Sequence, residues 1–431
     1  MSRQVADFLA EHARLTRRFL LQAGIGSGVT IASPSFANED ADKTNTPQTS
    51  SAYSDATLQS AVAELESWLT HPDDFRDVSR GKPKPHSLPD DKKKEVGMTR
   101  KTWSLDVISD PENPATIANP LAKETGNAFT FDDLMSLAKD HSVRFAKVMT
   151  CLNIGCPLGM GIWEGVPLRH VIWKTKPTEN LRRVFYYGYH NDDPKQMFRS
   201  SLPISRILED PFDLPPVILC YKLNGQWLSS ERGGPVRVVV PEAYGFKSIK
   251  WLSHVILSNL FYANDTYGEK NNDVDSPLKT FAATLTLPGE VKAGEPFPVT
   301  GYAQVGISGL TKVQYSIQPR DAQAADDDRT FSADPWTDAT ILEPPKSWGG
   351  GIKGDQIPAE TLGFDERTGQ PKSWPMRLAK AHWAALLDGR SKGEYIFRCR
   401  TIDANDHAQP MPRPFRKLGH SDIETKLIRV I

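Results

Sequence analysis

The sequence predicts an α+β domain followed by an all-β domain of the immunoglobulin-like sandwich type. One reason is length, because 431 residues exceed what a single typical core holds. The 33 prolines and 30 glycines favour a loop-rich, β-rich protein over a helical bundle. Helix and strand patterns mix before about residue 265, and short alternating strands dominate after it. The formal net charge of −1 gives no indication of nucleic-acid binding.

Residues 1–37 have the three regions of an export signal in the usual order. Arg17 and Arg18 form a twin arginine, an apolar run follows, and Ser35-Phe36-Ala37 suits cleavage after Ala37. The apolar run is too short and too rich in Gly and Ser to be a stable membrane span. The alternative is an ordinary amphipathic helix. We expect a twin-arginine signal peptide and a periplasmic protein, exported folded, which would suit a chain that carries a cofactor.

Residues 38–94 are predicted to be a flexible N-terminal segment and a wrapping loop. Residues 38–56 are polar and low in bulky apolar side chains, and residues 72–98 are charged and proline-rich. Between these stretches, the apolar spacing of "LQSAVAELESWLTH" (58–71) predicts a short helix.

Residues 95–265 are predicted to be the α+β domain. Its strand patterns are "TWSLDVIS" (102–109), "VRFAKVMTC" (143–151), "RVFYYGYH" (183–190), "PPVILCYKLNGQWL" (215–228) and "GPVRVVVPEAYGFKSIKWLSHVILSN" (234–259). Its helix patterns are "FTFDDLMSLAKDH" (129–141), which Thr130 would cap, and "VPLRHVIWKT" (166–175). Asn224-Gly225 is a strong hairpin signal. Cys151 would stand at the end of a strand, before a loop.

The polar residues 266–277 are predicted to be a linker, and residues 278–431 the immunoglobulin-like domain. The short alternating patterns of the second domain are "FAATLTLP", "FPVTGYAQVG", "LTKVQYSIQP", "DATILEP" and "EYIFRCRTID". Strands of this length, separated by turn signals, are typical of a β-sandwich.

The four cysteines divide into two kinds. Cys220 and Cys399 lie within apolar strand patterns and are expected to be buried as small hydrophobic side chains. Cys151 and Cys156 lie in the stretch "MTCLNIGCPLGMGIWEGVPL", where they are either free thiols or a disulfide across a short loop. The sequence contains no CxxC pair and no CxxCH haem attachment site, so neither zinc nor a haem in this chain is expected.

Three motifs in a fixed order resemble the sulfite oxidase family of molybdenum enzymes. They are the segment from Cys151 to "WEGVPL", then "LCYKLNGQWL", then "GGPVRVVVPEAYGFKSIKWL". The resemblance covers about residues 95–410. It implies a molybdopterin-binding α+β domain followed by an immunoglobulin-like dimerisation domain. It also implies that the thiolate of Cys151 is the molybdenum ligand, with Cys156 as the alternative. A soft thiolate suits such a metal.

The resemblance also implies which residues bind the molybdenum–molybdopterin cofactor. Arg237 matches an arginine that grips the cofactor, and Arg232 matches a position where relatives carry His or Asn against it. His190 lies near where the family contacts the pterin. The family segment that holds the phosphate matches Ser248, Ile249 and Lys250. For an isolated arginine or histidine the alternative is a surface or structural side chain.

The sequence departs from the family pattern near the expected substrate site. "LNIGCPLG" after Cys151 contains no arginine, and Phe198 replaces the active-site tyrosine. The adjacent Arg199 would restore a positive charge, and Arg232 and Lys147 are further cations that would bind sulfite. The predicted catalytic residues are therefore Cys151, Arg199 and Arg232. An "RNH" arm is missing, and residues 76–100 are the expected replacement.

From the resemblance we expect oxidation of sulfite to sulfate by two-electron oxygen-atom transfer. Without a haem in this chain, the electrons would pass to a separate c-type cytochrome. The second domain would form a homodimer or, equally, dock a partner. The first alternative is a reductase of sulfoxides such as methionine sulfoxide, which the missing loop arginine and Phe198 favour. A weaker alternative is a non-catalytic immunoglobulin-like scaffold or adhesion protein.

Overall fold

A computed structural model describes residues 55–193, 196, 198–262, 272–275, 277–322, 328–419 and 421–431. The predicted signal peptide, the segment up to residue 54, and residues 266–271 and 276 of the predicted linker lie outside the described residues. Among the helices of the described part, none has the length and apolar character that crossing a membrane requires.

The described residues are mostly sheet, with a few short helices. The α-helices are α1 (Ala56–Ala63), α2 (Asp90–Glu95), α3 (Phe131–His141), α4 (Leu168–Lys174) and α5 (Ile204–Leu208). The strands up to residue 260 are β1 (Ser104–Ser109), β2 (Phe129–Thr130), β3 (Val143–Thr150), β4 (Pro157–Pro167), β5 (Arg183–Gly188), β6 (Arg199–Pro203), β7 (Ile218–Leu223), β8 (Gln226–Trp227), β9 (Arg237–Val239) and β10 (Leu252–Ser258). The later strands are β11 (Phe281–Thr286), β12 (Glu290–Val291), β13 (Phe297–Gln304), β14 (Lys312–Pro319), β15 (Thr337–Ile341), β16 (Thr361–Leu362), β17 (Lys380–Leu387), β18 (Gly393–Ile402) and β19 (Glu424–Val430).

Two sheets build the first part of the molecule. One has the strand order β2-β1-β10-β5-β6, and the other has the order β16-β3-β4-β7-β8, with β9 also pairing β7. Buried apolar residues from β1, β5, β7, β9 and β10 form one core together with residues of α3 and α4. The end of β5 and the starts of β9 and β10 are therefore held by the same packing.

The strand predictions for this part are confirmed at most positions. Thr130 caps α3, its hydroxyl accepting a hydrogen bond from the Asp133 amide, while the Asp133 carboxylate accepts one from the Thr130 amide. Asn224 and Gly225 have φ values of 51° and 77°, as a tight hairpin between β7 and β8 requires. The helix predicted over residues 58–71 is wrong in length, because α1 ends at Ala63.

β4 was not predicted, because its glycines suggested a loop. In the structure these glycines allow close approach within a buried strand. A Cβ atom on Gly161 would lie 2.4 Å from a Leu223 methyl group, and one on Gly165 would lie 2.4 Å from the Leu219 carbonyl oxygen. The absence of side chains thus reflects packing rather than a turn.

The second part is built on eight strands in the order β11-β13-β17-β15-β14-β18-β19-β12. All five strand patterns predicted here correspond to observed strands, namely β11, β13, β14, β15 and β18. Residues from both ends of this path share one apolar core that includes Val299, Val313, Phe397 and Ile428. The immunoglobulin-like assignment stays a prediction.

Residues after 345 also pair with and pack against the part of the molecule that precedes residue 260. β16 pairs in parallel with β3, at Thr361↔Arg144. The ring of Trp348 packs edge-on against that of Trp68, with centroids 5.0 Å apart. The Val148 amide donates to the Leu378 carbonyl at 2.8 Å. The segment between β15 and β17 therefore packs against the first part of the molecule. The domain boundaries stay a prediction.

Candidate active site

A cavity of about 300 Å³ lies beside Cys151, where the end of β3 meets the starts of β9 and β10. Every residue predicted for the cofactor site lines it, namely Cys151, His190, Arg232, Arg237, Ser248, Ile249 and Lys250. Residues 75–80 of the predicted wrapping loop form the remaining side. The structure therefore brings together Phe75 and Lys250, which are 175 positions apart in the sequence.

Cys151 is placed by the β3–β4 hairpin. The two strands are paired up to Thr150↔Pro157, so residues 151–156 form the connecting loop and Cys151 leaves the sheet at a fixed point. All four cysteines are free in the structure. Cys151 and Cys156 are half-buried, whereas Cys220 and Cys399 are buried as predicted. The Sγ of Cys156 accepts a hydrogen bond from Arg76 Nη1 at 3.4 Å.

Arg232 and Arg237 form a rigid pair on one wall of the cavity. Arg237 donates from Nη1 to the Arg232 carbonyl at 2.9 Å and from Nη2 to the Ser248 carbonyl at 2.6 Å. Arg232 donates from Nη1 to the Phe75 carbonyl at 2.6 Å. Burial lowers the pKa of Arg237 to about 10. The buried Nε atoms of both arginines have no hydrogen-bond partner among the described residues.

Lys250 lies beside this pair and joins it to the N-terminal segment. Its Nζ donates to Ser79 Oγ at 2.8 Å and to the Glu231 carbonyl at 2.7 Å, and it lies 3.2 Å from Asp77 Oδ1. Burial lowers the pKa of Lys250 to about 7, and the charge of Arg237 acts in the same direction. The ammonium is thus largely engaged within the protein rather than directed into the cavity.

His190 also lines the cavity, two residues after the end of β5. Its Nδ1 lies 2.9 Å from the Gly188 carbonyl, and because a carbonyl only accepts, Nδ1 carries the proton and Nε2 remains an acceptor. Burial lowers the pKa of His190, and the charge of Arg80 lowers it further, although the Gly188 carbonyl opposes both. The net lowering of the pKa favours the neutral imidazole.

Phe198 and Arg199 are neighbours in sequence but face different cavities. Phe198 lines the Cys151 cavity, whereas Arg199 lines a second cavity of about 930 Å³ next to Tyr187. Side chains along an extended chain alternate in direction, and Arg199 opens β6 opposite Tyr187 of β5. The structure thus does not bring Arg199, a predicted catalytic residue, to Cys151.

Lys147 is also separate from the cavity. Its side chain is fully buried, and Nζ donates to the carbonyls of Pro241 and Ala243 at 2.7 and 2.8 Å. Burial lowers the pKa of Lys147 to about 7. The structure therefore places Lys147 in the core and not at the cavity beside Cys151.

Two cavity-lining cations were missed as individual residues, although residues 76–100 were expected to replace the missing arm. Arg76 and Arg80 both line the cavity and are exposed. The Arg80 guanidinium lies 5.0 Å from the centroid of the Phe198 ring. Among the described residues Arg80 has neither a hydrogen bond nor a salt bridge. In "FRDVSR" (75–80), Arg76 and Arg80 alternate with Asp77 and Ser79, and this pattern could have indicated that both arginines lie on one side of an extended segment. The sequence does not show where a segment without regular secondary structure lies in the fold.

The lining fits an anionic, polar cofactor. It includes five cationic side chains and, within the described part of the chain, no carboxylate: Arg76, Arg80, Arg232, Arg237 and Lys250. The unpartnered Nε atoms of Arg232 and Arg237 need acceptors, which a pterin and its phosphate contain. The Cys151 thiol lies at the same cavity, and Trp163, Phe75 and Phe246 supply apolar walls. Such a mixture is typical of cofactor sites.

Comparisons with known proteins agree with this chemistry. Residues 98–263 match the family model described as "Oxidoreductase molybdopterin binding domain". The sulfite oxidase of Gallus gallus is 35% identical over 99 residues, which cover 22% of this chain and 21% of the relative. The NADPH nitrate reductase of Pichia angusta is 33% identical over 98 residues, which cover 23% of this chain and 11% of the relative. The matched segments thus span about a fifth or less of these relatives.

A solved structure extends the similarity to most of the chain at the level of fold. The sulfane dehydrogenase SoxCD from Paracoccus pantotrophus aligns with a TM-score of 0.53 at 17% identity, covering 77% of this chain and 79% of that one. An oxidoreductase domain of this kind excludes the non-catalytic scaffold alternative. Residues 98–263 thus form a molybdopterin-binding oxidoreductase domain, and the chain is similar to sulfite oxidases over part of its length.

Proposed function

We propose that the protein oxidises sulfite to sulfate with a molybdenum–molybdopterin cofactor. The observation that carries this proposal is the charge of the cavity, which has five cationic side chains and no carboxylate among its described lining residues. A doubly charged oxyanion loses its hydration on entering such a site, and fixed cations offset that loss. The similarity to sulfite oxidases supports the same substrate.

The overall reaction is sulfite plus water giving sulfate, two protons and two electrons. When bound, the cofactor supplies oxygen-atom transfer and takes up the electrons. The residues of the chain position it: Cys151 would hold the metal, and Arg232 and Arg237 would bind the pterin and its phosphate. Neutral His190 keeps Nε2 as a hydrogen-bond acceptor, and the apolar walls limit the access of water.

The electron acceptor and the location of the protein are part of the proposal. The sequence contains no CxxCH motif, so the electrons would leave to a separate protein, for which a c-type cytochrome is suitable. The twin arginine at Arg17 and Arg18 supports export to the periplasm. A homodimer through residues 278–431 is the proposed assembly.

Reduction of a sulfoxide is the second candidate function. It is favoured by the apolar side chains around the cavity, Phe75, Leu158, Phe198 and Phe246, which would accommodate an uncharged substrate. The five cations oppose it, because a neutral sulfoxide does not need them.

The test is turnover by the purified protein containing its cofactor. We expect sulfite-dependent reduction of ferricyanide or of a c-type cytochrome, and no oxidation of a reduced dye when methionine sulfoxide is added. Dye oxidation with methionine sulfoxide but no sulfite turnover would establish the reductase instead. Dye oxidation by nitrate, with neither other activity, would reject both.

A further inference from the structure

We propose that Trp251 is a positioning residue, whose indole ring holds the imidazole of His190 in the orientation that binds the pterin. This inference rests on the proposed function, because it takes His190 as a residue that binds the cofactor. Both side chains line the cavity beside Cys151. Trp251 acts on the cofactor through His190.

The backbone of Trp251 has an unusual conformation. Its φ of 53° lies in the left-handed region, which bulky residues rarely adopt. In this conformation its amide donates to the Gly233 carbonyl at 3.1 Å, and its carbonyl accepts from the Tyr189 amide at 2.9 Å. Gly233 directly follows Arg232, and Tyr189 directly precedes His190. A strained residue of this kind persists only where its surroundings fix it, and here it ties together two chain segments that line the cavity.

The side chain of Trp251 is fixed independently of its backbone. Its Nε1 donates to the Ser230 carbonyl at 2.7 Å. Its ring packs in a small apolar cluster with Leu88 and Met98. The His86 ring stacks with it, with centroids 6.2 Å apart and an angle of 30° between the planes. A change of rotamer would break all these contacts, so the indole presents a fixed surface to its neighbours.

The imidazole of His190 is held by three contacts, of which the Trp251 ring is one. The two rings meet edge-on, with centroids 6.0 Å apart and an angle of 76° between the planes. The Phe198 ring lies with its centroid 6.4 Å away, and Nδ1 bonds the Gly188 carbonyl at 2.9 Å. A single hydrogen bond leaves an imidazole free to tilt about that bond. The ring contacts remove this freedom and fix the direction of Nε2.

Trp103 offers a matched control. Trp103 and Trp251 are equally buried, each 3% exposed. The Nε1 of Trp103 donates to the Leu252 carbonyl at 2.7 Å, as that of Trp251 does to the Ser230 carbonyl. Trp103 is not among the described residues that line the cavity. Trp103→Leu and Trp251→Leu therefore remove the same ring and the same kind of hydrogen bond, and only the second takes a contact from His190.

The measurement is the rate at which purified, cofactor-loaded protein releases its pterin. We expect release about tenfold faster from Trp251→Leu and from His190→Ala, because a residue that orients a binding side chain affects affinity by this order. The double variant should release pterin no faster than His190→Ala, because Trp251 acts through His190. Trp251→Phe keeps a ring and should recover most of the loss. Release from Trp103→Leu should stay within about twofold of the wild type, although urea unfolding should show a similar loss of stability.

Unchanged release from Trp251→Leu or from His190→Ala would overturn the inference. Equally fast release from Trp103→Leu would overturn it too, because lost stability would then be the cause. So would effects of Trp251→Leu and His190→Ala that add in the double variant, because Trp251 would then act by a separate route. Should Trp251→Leu not fold, Trp251→Gly repeats the comparison, since glycine suits the left-handed backbone. Absence of sulfite turnover in the wild type would reject the proposed function, while the release rates would still decide the role of Trp251.

Discussion

The Lys250 ammonium lies 3.2 Å from the Asp77 carboxylate, and this contact joins the start of β10 to the segment that carries Arg76 and Arg80. Its two partners are 173 positions apart in the sequence. Both are largely buried, so the loss of either one leaves the other with an incompletely compensated charge. The contact therefore links the cavity residues Arg232, Arg237 and Lys250 to the segment of residues 75–80.

Lys250→Met should therefore make the segment of residues 75–80 more mobile. We expect faster cleavage by trypsin at Arg76 and Arg80 and a severalfold higher KM for sulfite, because Asp77 loses its contact with β10. The partners that remain to Asp77, Ser79, Lys84 and His86, all lie within residues 79–86. Lys250→Arg preserves the charge and should behave more like the wild type. Time courses of proteolysis, followed by mass spectrometry, together with the KM measurement test this. Equal cleavage rates in all three proteins would show that Lys250 does not hold this segment.

Phe198 and Arg199 should respond differently to substitution, because they face different cavities. Phe198→Ala removes the ring against which Arg80 lies, a contact of about 0.5–1 kcal/mol at an exposed site, so kcat/KM for sulfite should fall about two- to fivefold. Arg199→Gln should change it less than about twofold. Steady-state kinetics at one fixed ionic strength is the measurement. A larger loss in Arg199→Gln than in Phe198→Ala would return Arg199 to the substrate site.

Gly159→Ala should destabilise the protein and weaken cofactor binding. The added Cβ would lie 2.5 Å from the Phe75 ring, which is buried against Trp163 and cannot move freely. Overpacking of this kind costs roughly 1–3 kcal/mol. Gly289→Ala is the control, since nothing lies within 4 Å of its Cβ, and its effect should stay within about 0.5 kcal/mol. Urea unfolding and pterin content test both, and equal stability of the two variants would contradict the packing described for β4.

Lys147 should make stability depend on pH. Its pKa falls from 10.5 in the unfolded chain to about 7 in the fold, so between these values the unfolded state binds more protons and stability rises with pH. Over pH 7 to 9 the wild type should gain about 2 kcal/mol relative to Lys147→Met. Unfolding by urea at pH 7, 8 and 9 measures the difference. A difference that stays constant over this range would mean that Lys147 stays charged in the folded protein, as it is in the unfolded chain.

Regular elements with strong local signals could be predicted from the sequence. Thr130 and Asp133 specify the start of α3 by themselves, and Asn224-Gly225 specifies a hairpin by the φ values it tolerates. β4 could not be predicted in the same way, because Gly159 and Gly161 are required by Phe75 and Leu223, which are distant in the sequence. Partners of this kind become visible only in the folded chain.

The site residues that could be predicted differ in the same way from those that could not. Cys151, Arg237 and the segment around Lys250 could be predicted because they belong to motifs on strands. Arg80 could not, because its position depends on the anchoring of Asp77 by residues far along the chain. The sequence did not show where β6 begins, so it did not show to which side Arg199 points. A shift of one position along a strand moves each side chain to the other face of the sheet.

Molybdenum and pterin content of purified wild-type protein, beside Cys151→Ser and Cys156→Ser, tests the central claim most directly. All three should be produced with cofactor synthesis intact, and sulfite-dependent ferricyanide reduction followed in the same samples. We predict about one molybdenum per chain in the wild type and in Cys156→Ser, with turnover in both. Cys151→Ser should lose turnover. Wild-type protein without molybdenum, or Cys151→Ser with full turnover, would contradict the assignment of Cys151 as the ligand in a molybdopterin site.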